Sequence, residues 1–274
     1  MKKYGLIILI KRCYCEQDKK MIPTIQQRRE GILALVYQEG HATIRQLSEH
    51  LKVSEATVRR DLHGLAAEGL LELSRGGAAV ARNSDYSFLS KSMRNVEAKR
   101  AIAQLAANLV QNGDQIFIGS GTTCFGMAGF LRGRKGLSVI VNSVRTALEL
   151  QTPGIHVLLL GGQYRPERMD TVGPLASEAI ERLRGYRAFL GTDGISQDFG
   201  LTSVDIESAH LLRLVARNAR ECILLADSSK FDHPALYKII DLQMLSTVIT
   251  EKKPEPNWLD FFAKHHINVL FPKL

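Results

Sequence analysis

The stretch Gly119-Ser120-Gly121-Thr122-Thr123-Cys124 has the make-up of an anion cradle. Two glycines let a ligand approach the backbone, the hydroxyls add donors, and the first amides of the helix it opens favour negative charge. No Gly-Lys-Ser/Thr follows, which excludes the phosphate loop of nucleoside triphosphatases. A tight glycine turn that holds nothing fits the same residues. Further polar clusters recur downstream: Asn142-Ser143, Gly161-Gly162, Gly191-Thr192-Asp193-Gly194-Ile195 with Gly200-Leu201-Thr202 and Asp205-Ile206-Glu207, and Asp227-Ser228-Ser229-Lys230-Phe231. Taken singly, Asn142-Ser143 and Gly161-Gly162 are ordinary strand-to-helix turns. Lys230 can meet a phosphate as a point charge, although a loop lysine is usually just solvated.

A second constellation lies near the N-terminus. Ser54 caps a helical stretch with Val58, Leu62 and Leu65 on one face. At 100° per residue, Ala56, Arg59, Arg60 and His63 fall opposite, with Thr57 at one flank. Arginine can bond guanine edges bidentately, and Thr or Ala can meet a thymine methyl group. Asp61 falls nearer the core seam, where it orients an arginine rather than touching DNA. A solvated Arg-Arg face is the bland alternative, and a three-helix unit can also bind protein.

The elements that must hold these residues follow from periodicity. Ile25 to Tyr37 reads as a helix ended by Gly40. Thr43 caps a second, with Ile44, Leu47 and Leu51 inward, and Lys52-Val53 is a tight turn to the third. Leu70–Leu73 and Ala78–Val80 read as strands joined around Arg75-Gly76-Gly77. Two helices across a short turn plus a hairpin describe a winged helix-turn-helix over 21–80, with the helix-turn-helix at 42–61. A linker is expected at 81–97.

Residues 98–274 alternate. Strands are expected at Gln115–Ile118, Ser138–Val141, His156–Leu160, Ala188–Leu190, Cys222–Ala226, Thr247–Ile249 and Ile267–Leu270. Helices are expected at Ala98–Val110, Val144–Leu150, Leu175–Leu183 and Ile206–Ala219. That order predicts a mostly parallel sheet covered by helices, with ligands beyond the carboxyl ends of its strands. The polar clusters fall at those ends. Arg165-Pro166-Glu167-Arg168 reads as a charged lid or an exposed loop, and Trp258 as the anchor of the last helix.

Bulk properties bound the function. The 274 residues, 45% hydrophobic and 23% charged, are enough for two cores and exclude a collagenous, wholly disordered or disulfide-scaffold chain. The 4 cysteines suit a reducing compartment, and no apolar run reaches the ~18 residues of a membrane helix. Residues 1–20 read as a weakly ordered extension, with Met21 as an alternative start and a membrane- or nucleic-acid-binding tail as the competing reading. They carry six Lys/Arg against two Asp/Glu, half of the net +8. Segment 21–82 has eight against seven, so bulk charge says little about nucleic acid and arrangement must carry the argument.

The residues Gln27-Arg28-Arg29, Gln46-Leu47, Val53-Ser54-Glu55-Ala56-Thr57-Val58-Arg59-Arg60-Asp61-Leu62, Gly69-Leu70 and Gly76-Gly77-Ala78 resemble the DeoR family of bacterial transcription regulators. The downstream clusters resemble its C-terminal sensor domain in the same order, so the likeness covers about 25–274. The resemblance implies an α/β architecture: a small N-terminal winged helix-turn-helix, then a mostly parallel α/β sensor similar to ribose-5-phosphate isomerase. It implies a cytoplasmic homo-oligomeric regulator, most often a repressor of carbohydrate genes, that binds double-stranded operator DNA and a phosphorylated sugar, with no cofactor, metal, membrane or catalytic residue. DNA contacts are expected from Thr43, Ser54, Ala56, Thr57, Arg59, Arg60, His63, Arg75 and Gly76. Effector contacts are expected from Ser120, Gly121, Thr122, Thr123, Asn142, Asp193, Asp205, Glu207 and Lys230. Residues 120–123 would take the phosphate; Asp193, Asp205 and Glu207 would take sugar hydroxyls.

The chain departs from the family where it has Leu73 and Arg75 in the wing, Gly119 in place of Asp, Cys124 in place of Thr, Tyr186-Arg187-Ala188-Phe189 in place of Asp-x-Ala-Phe, and Ser208 in place of Glu. Ligand identity therefore does not transfer. A sugar-phosphate isomerase with an accessory module competes, since the same carboxylates can serve as bases. So does a protein-binding adaptor, which lacks salt-dependent DNA affinity.

Overall fold

The computed structural model describes residues 24–67, 69–80 and 88–272. The extension at 1–20, the alternative start at Met21 and residues 81–87 of the expected linker lie outside the described residues. The chain divides into two compact units, Met1–Val80 and Ala81–Leu274.

In the first unit α1 (Ile25–Glu39) opens on a capping box. The Gln27 amide donates to Thr24 Oγ1 at 3.3 Å, and the Thr24 amide donates to Gln27 Oε1 at 2.9 Å. Two otherwise unused donors are thereby satisfied, and Gly40, at φ 76°, ends the helix. β1 (His41–Thr43) leads into α2 (Ile44–Leu51), which Thr43 and Gln46 cap in the same reciprocal way. Lys52 turns the chain at φ 55°. Ser54 then receives the Thr57 amide at 3.3 Å to start α3 (Glu55–Ala67). Ile32, Val36, Leu47, Val58, Leu62 and Leu65 close the core.

β2 (Leu71–Ser74) and β3 (Gly77–Val80) form an antiparallel hairpin with Arg75-Gly76 at its tip. Gly76 holds φ 83° there, a left-handed conformation that favours glycine. The sheet order is β1-β3-β2. Three residues of β1 are too few to show alternation, so sequence reading missed that strand. Its trace is Gly77: a Cβ there would lie 2.2 Å from the Ala42 carbonyl oxygen, so β1 can pair only against a glycine.

Asp61 does orient an arginine. Arg28 of α1 donates to it through Nε at 2.8 Å and Nη2 at 3.3 Å, with the two side chains 12% and 7% exposed. The pair fixes the roll of α3 against α1. Asp61→Ala is expected to destabilise the unit by about 1.5–3 kcal/mol, because the charge-assisted hydrogen bonds that tie α3 to α1 are lost. Urea unfolding checks this, and a cost below about 1 kcal/mol would reduce the pair to surface decoration.

The second unit starts with α4 (Phe88–Met93) and α5 (Val96–Asn108). Thus residues 88–93 and 96–97, expected as linker, are helical, with a bend at Arg94 and Asn95 between them, and α5 starts two residues before the expected Ala98. Next come β4 (Gln115–Ile118), α6 (Thr122–Met127), β5 (Leu137–Val141), α7 (Val144–Glu149) and β6 (Ile155–Leu159). The hairpin β7 (Gln163–Arg165) and β8 (Asp170–Val172), α8 (Pro174–Glu181) and β9 (Arg187–Leu190) follow. After them run β10 (Gly194–Ser196), β11 (Gly200–Ser203), α9 (Ile206–Asn218), β12 (Glu221–Leu225) and β13 (Tyr237–Ile240). The unit ends with β14 (Thr247–Ile249), α10 (Pro256–Lys264) and β15 (Asn268–Leu270).

Seven strands form one sheet in the order β15-β14-β12-β9-β4-β5-β6, every pairing parallel. These are the seven strands expected from the sequence. Successive residues alternate between two cores: Phe117, Ala188, Leu190 and Leu224 pack with α8, α9 and α10, whereas Ile116, Ile118, Phe189 and Ile223 pack with α5 and α6. Burial on both faces is what parallel strands need. Trp258 is buried in the first of these cores, its Nε1 donating to Asp232 at 3.0 Å and its ring edge-on to Phe231. Strand order reverses between β4 and β9, and that switch point opens a crevice at their carboxyl ends.

Candidate functional site

A cavity of about 320 Å³ occupies the crevice. Ser120, Gly121, Thr122 and Thr123 line it from the β4–α6 turn, Asp193 from beyond β9, and Asp227 and Lys230 from beyond β12. The β4–α6 turn enters the cavity because β4 stops at Ile118 and Gly121, extended at φ −68°, caps α6. The first amides of α6 have no acceptor within the helix, so they are open to a ligand.

Three expected positions lie elsewhere. Asn142 is buried outside the cavity wall, its Nδ2 donating to the Thr171 carbonyl at 3.1 Å. Asp205 caps α9, accepting from the Ser208 amide at 2.8 Å, and pairs with Arg165 at 2.7 Å and Arg168 at 3.3 Å. Burial opposes its charge, but the Arg165 and Ser208 hydrogen bonds hold its carboxyl down at about 2. Glu207 points to solvent from the first turn of α9. Of the carboxylates expected to meet a sugar, Asp193 lines the cavity, where it is joined by Asp170 and Asp227, which were not expected there.

The Arg165–Arg168 stretch is neither a free lid nor an open loop. It is the turn of the β7–β8 hairpin, pinned where Arg165 grips Asp170 at 2.8 and 2.9 Å. Arg168 lines the cavity, and its Nη1 donates to Ser208 Oγ at 3.2 Å.

Sequence reading also missed one wall. Phe88, Lys91, Arg94, Asn95 and Lys99 line the cavity from the segment read as linker. Phe88 anchors it, edge-on to Phe125 at 5.4 Å and under Arg145 at 4.1 Å. Lys91 meets Asp193 at 2.5 Å, and Asn95 donates to Asp227 at 2.9 Å. Lys99 donates to the Lys91 and Arg94 carbonyls and so closes the end of α4. The four polar residues fall on two helices broken at Arg94 and Asn95, so no continuous period marked them in the sequence.

Charges in this wall are strained by burial. Desolvation pushes Lys99 down to about 8, with Asp227 opposing and Lys230, Arg94 and Lys91 adding to the depression. Burial also opposes the charge of Asp193, yet Lys91 and the Val204 amide keep it below the ordinary carboxylate range. Cys124, buried beneath the cradle, is pushed up to about 12, so it stays a neutral thiol.

The Lys99 shift has a definite sign for stability. Between pH about 8 and 10.5 the unfolded chain holds this proton and the folded chain does not, so this group adds stability as pH rises through that window. Wild type should therefore gain stability relative to Lys99→Met on going from pH about 7.5 to about 9.5. Urea unfolding of both at the two pH values checks it; a constant difference would mean that Lys99 is not desolvated.

A winged helix-turn-helix followed in sequence by an α/β unit with a cation-rich cavity at its switch point is the build of a ligand-sensing DNA-binding regulator. The chain belongs to the DeoR family: the DeoR-like helix-turn-helix domain matches residues 28–84 and the DeoR C-terminal sensor domain matches residues 94–252. It is similar to the lactose phosphotransferase system repressor of Lactococcus lactis subsp. lactis, 35% identical across 88% of this chain and 96% of that one. The glycerol-3-phosphate regulon repressor of Escherichia coli K12 is 30% identical across 89% and 97%. The protein is thus a DNA-binding transcriptional repressor and not an enzyme. Among solved structures it is similar to ribose 5-phosphate isomerase A from Methanocaldococcus jannaschii, at 20% identity and a TM-score of 0.35 over 50% of this chain and 55% of that one. A TM-score that low carries no argument about architecture or activity.

Proposed function

We propose that the protein represses genes of carbohydrate metabolism and that a phosphorylated sugar in the switch-point cavity controls its hold on operator DNA. One observation carries the reading. Ser120, Gly121, Thr122, Thr123, Asp193 and Lys230, six positions scattered over 110 residues of sequence, line a single cavity together with four further cationic side chains. Relatives named for a lactose phosphotransferase system and a glycerol-3-phosphate regulon support the ligand class.

On this reading the phosphate lies against residues 120–123, and Lys230 and Lys99 supply charge. Because Lys99 sits near neutrality at about pH 8, an anion beside it draws a proton on binding. Asp193 takes a sugar hydroxyl once Lys91 shares itself with the ligand.

DNA is met by the outer face of α3, where Ala56, Arg59, Arg60 and His63 are exposed, and by Arg75 and Gly76 at the hairpin tip. Thr43, Ser54 and Thr57 spend their hydroxyls on helix caps, so their part is to place α2 and α3 as well as to meet phosphates. Palindromic or repeated half-sites call for paired heads and hence a cytoplasmic homo-oligomer. The linker shortens to the residues before α4.

The test is fluorescence anisotropy on duplexes from upstream of its own and neighbouring genes, titrated with sugar phosphates. Tight, salt-sensitive binding that one compound shifts about 5- to 150-fold is expected. Specific binding that no sugar phosphate alters would overturn the effector assignment.

A further inference from the structure

The cavity has a cationic side chain at each side, its two poles, and two glycines on the floor between them. In the order β12-β9-β4-β5, Lys230 follows β12 at one side. Arg168 stands at the other, on the hairpin whose Asp170 bridges Ser143 just past β5. Three strand spacings separate the two sides, roughly 14 Å at the level of the sheet. Asp205 and Ser208 hold Arg168 in place.

Between the poles lie Gly119 at the end of β4 and Gly191 at the end of β9. Neither has a positive φ. A Cβ at Gly119 would come no closer than 3.4 Å to Phe189 O, and one at Gly191 no closer than 3.4 Å to Cys124 Sγ, both ordinary contacts. The backbone therefore does not demand glycine at either place. What the glycines leave is space and the absence of charge.

The acids of the wall are already engaged. Asp170 is gripped by Arg165, Asp193 by Lys91 and the Val204 amide, and Asp227 by Asn95 and Ser229. Five cationic side chains face three acidic ones around the cavity. Arg168 meets Asp205 and Ser208 through Nη1, and its Nε and Nη2 donors have no partner among the described residues, so they can take a second anion that a single phosphate does not supply.

The geometry points to an effector with an acidic group at each end: a phosphorylated sugar that also bears a carboxylate or a second phosphate, the second group held by Arg168. This rests on the reading of the cavity as the effector site.

Calorimetric titration of the full chain tests it, with inorganic phosphate, glucose 6-phosphate, 6-phosphogluconate and fructose 1,6-bisphosphate as probes. One of the two doubly acidic probes is expected to bind about 10- to 100-fold tighter than glucose 6-phosphate, the worth of one charge-assisted contact. Whichever it is names the second group. Arg168→Gln should collapse that ratio to within about threefold. Gly119→Asp, whose Cβ makes only ordinary contacts, should reduce it as well by placing a carboxylate between the poles; melting curves confirm that both variants fold. Glucose 6-phosphate binding as tightly as both doubly acidic probes, or a ratio that Arg168→Gln leaves intact, overturns the inference and spares the cavity assignment. Failure of all four probes, or binding that Lys230→Met does not weaken, overturns both.

Discussion

Arg60→Ala is expected to weaken binding to a cognate operator about 5- to 150-fold, equivalent to about 1–3 kcal/mol, with effector affinity unchanged. Arg60 lies exposed on α3, on the side away from Val58, Leu62 and Leu65. Its neighbour Arg59 donates to Glu55 at 3.2 Å in an exposed pair, while Arg60 makes no ion pair among the described residues. Of the two, Arg60 thus has the fork free for a base edge. The exchange leaves folding intact, since alanine is a better helix former and no buried contact is lost. Salt dependence separates two modes. Loss of a base contact relaxes sequence preference at one position and leaves the salt slope alone, whereas loss of a phosphate contact lowers the slope by about one and weakens all duplexes alike. Anisotropy on cognate and scrambled duplexes at several salt concentrations measures both. An unchanged cognate affinity would remove α3 from the role of recognition helix.

The first unit was readable because its determinants are local. Thr24, Thr43 and Ser54 each precede an apolar helical period and each caps the helix that follows. Asp61 was separable from Arg60 because 100° per residue sends one to the seam and the other outward. β1 was not readable, since three residues carry no period and its pairing depends on the contact between Ala42 and Gly77, 35 positions apart.

In the second unit all seven strands of the parallel sheet announced themselves as apolar runs. The five inner ones did so because both of their faces are buried, while the edge strand β6 keeps an apolar run with Leu158 and Leu159 exposed. The strands of the two smaller sheets, β7-β8 and β10-β11-β13, did not, because each is only three or four residues long and β10 and β11 are rich in Gly, Ser and Thr. The site divides along the same line. Residues 120–123, Asp193 and Lys230 directly follow strands of the main sheet, so their place at its carboxyl edge followed from the order of elements. Asp205 and Glu207 follow β11, which belongs to a smaller sheet, and they point elsewhere. The α4 wall escaped because its six residues have too little apolar period. Its place depends on Phe88 meeting Phe125 and on Lys91 meeting Asp193, 102 residues away.

Thr122→Asp should abolish the effector response while leaving the fold and basal operator binding intact. Thr122 opens α6 and is half-buried at the cavity wall. An aspartate in the first turn of a helix is favourable for the helix itself, so the substitution suits local structure. The cost falls on the ligand: its phosphate would meet a carboxylate where amides and hydroxyls now stand. Like charges brought together in a site cost several kcal/mol, and about 4 kcal/mol is about a thousandfold in affinity. Lys230→Met, which merely removes one attraction, should cost far less, about 10-fold to 100-fold. That ordering separates a phosphate seated on 120–123 from one seated near Lys230. Calorimetry with the compound that shifts wild-type DNA binding, alongside melting curves, measures both variants. Effector affinity in Thr122→Asp within about threefold of wild type would take the β4–α6 turn out of the phosphate site and leave Lys230 and Arg168 to hold the ligand.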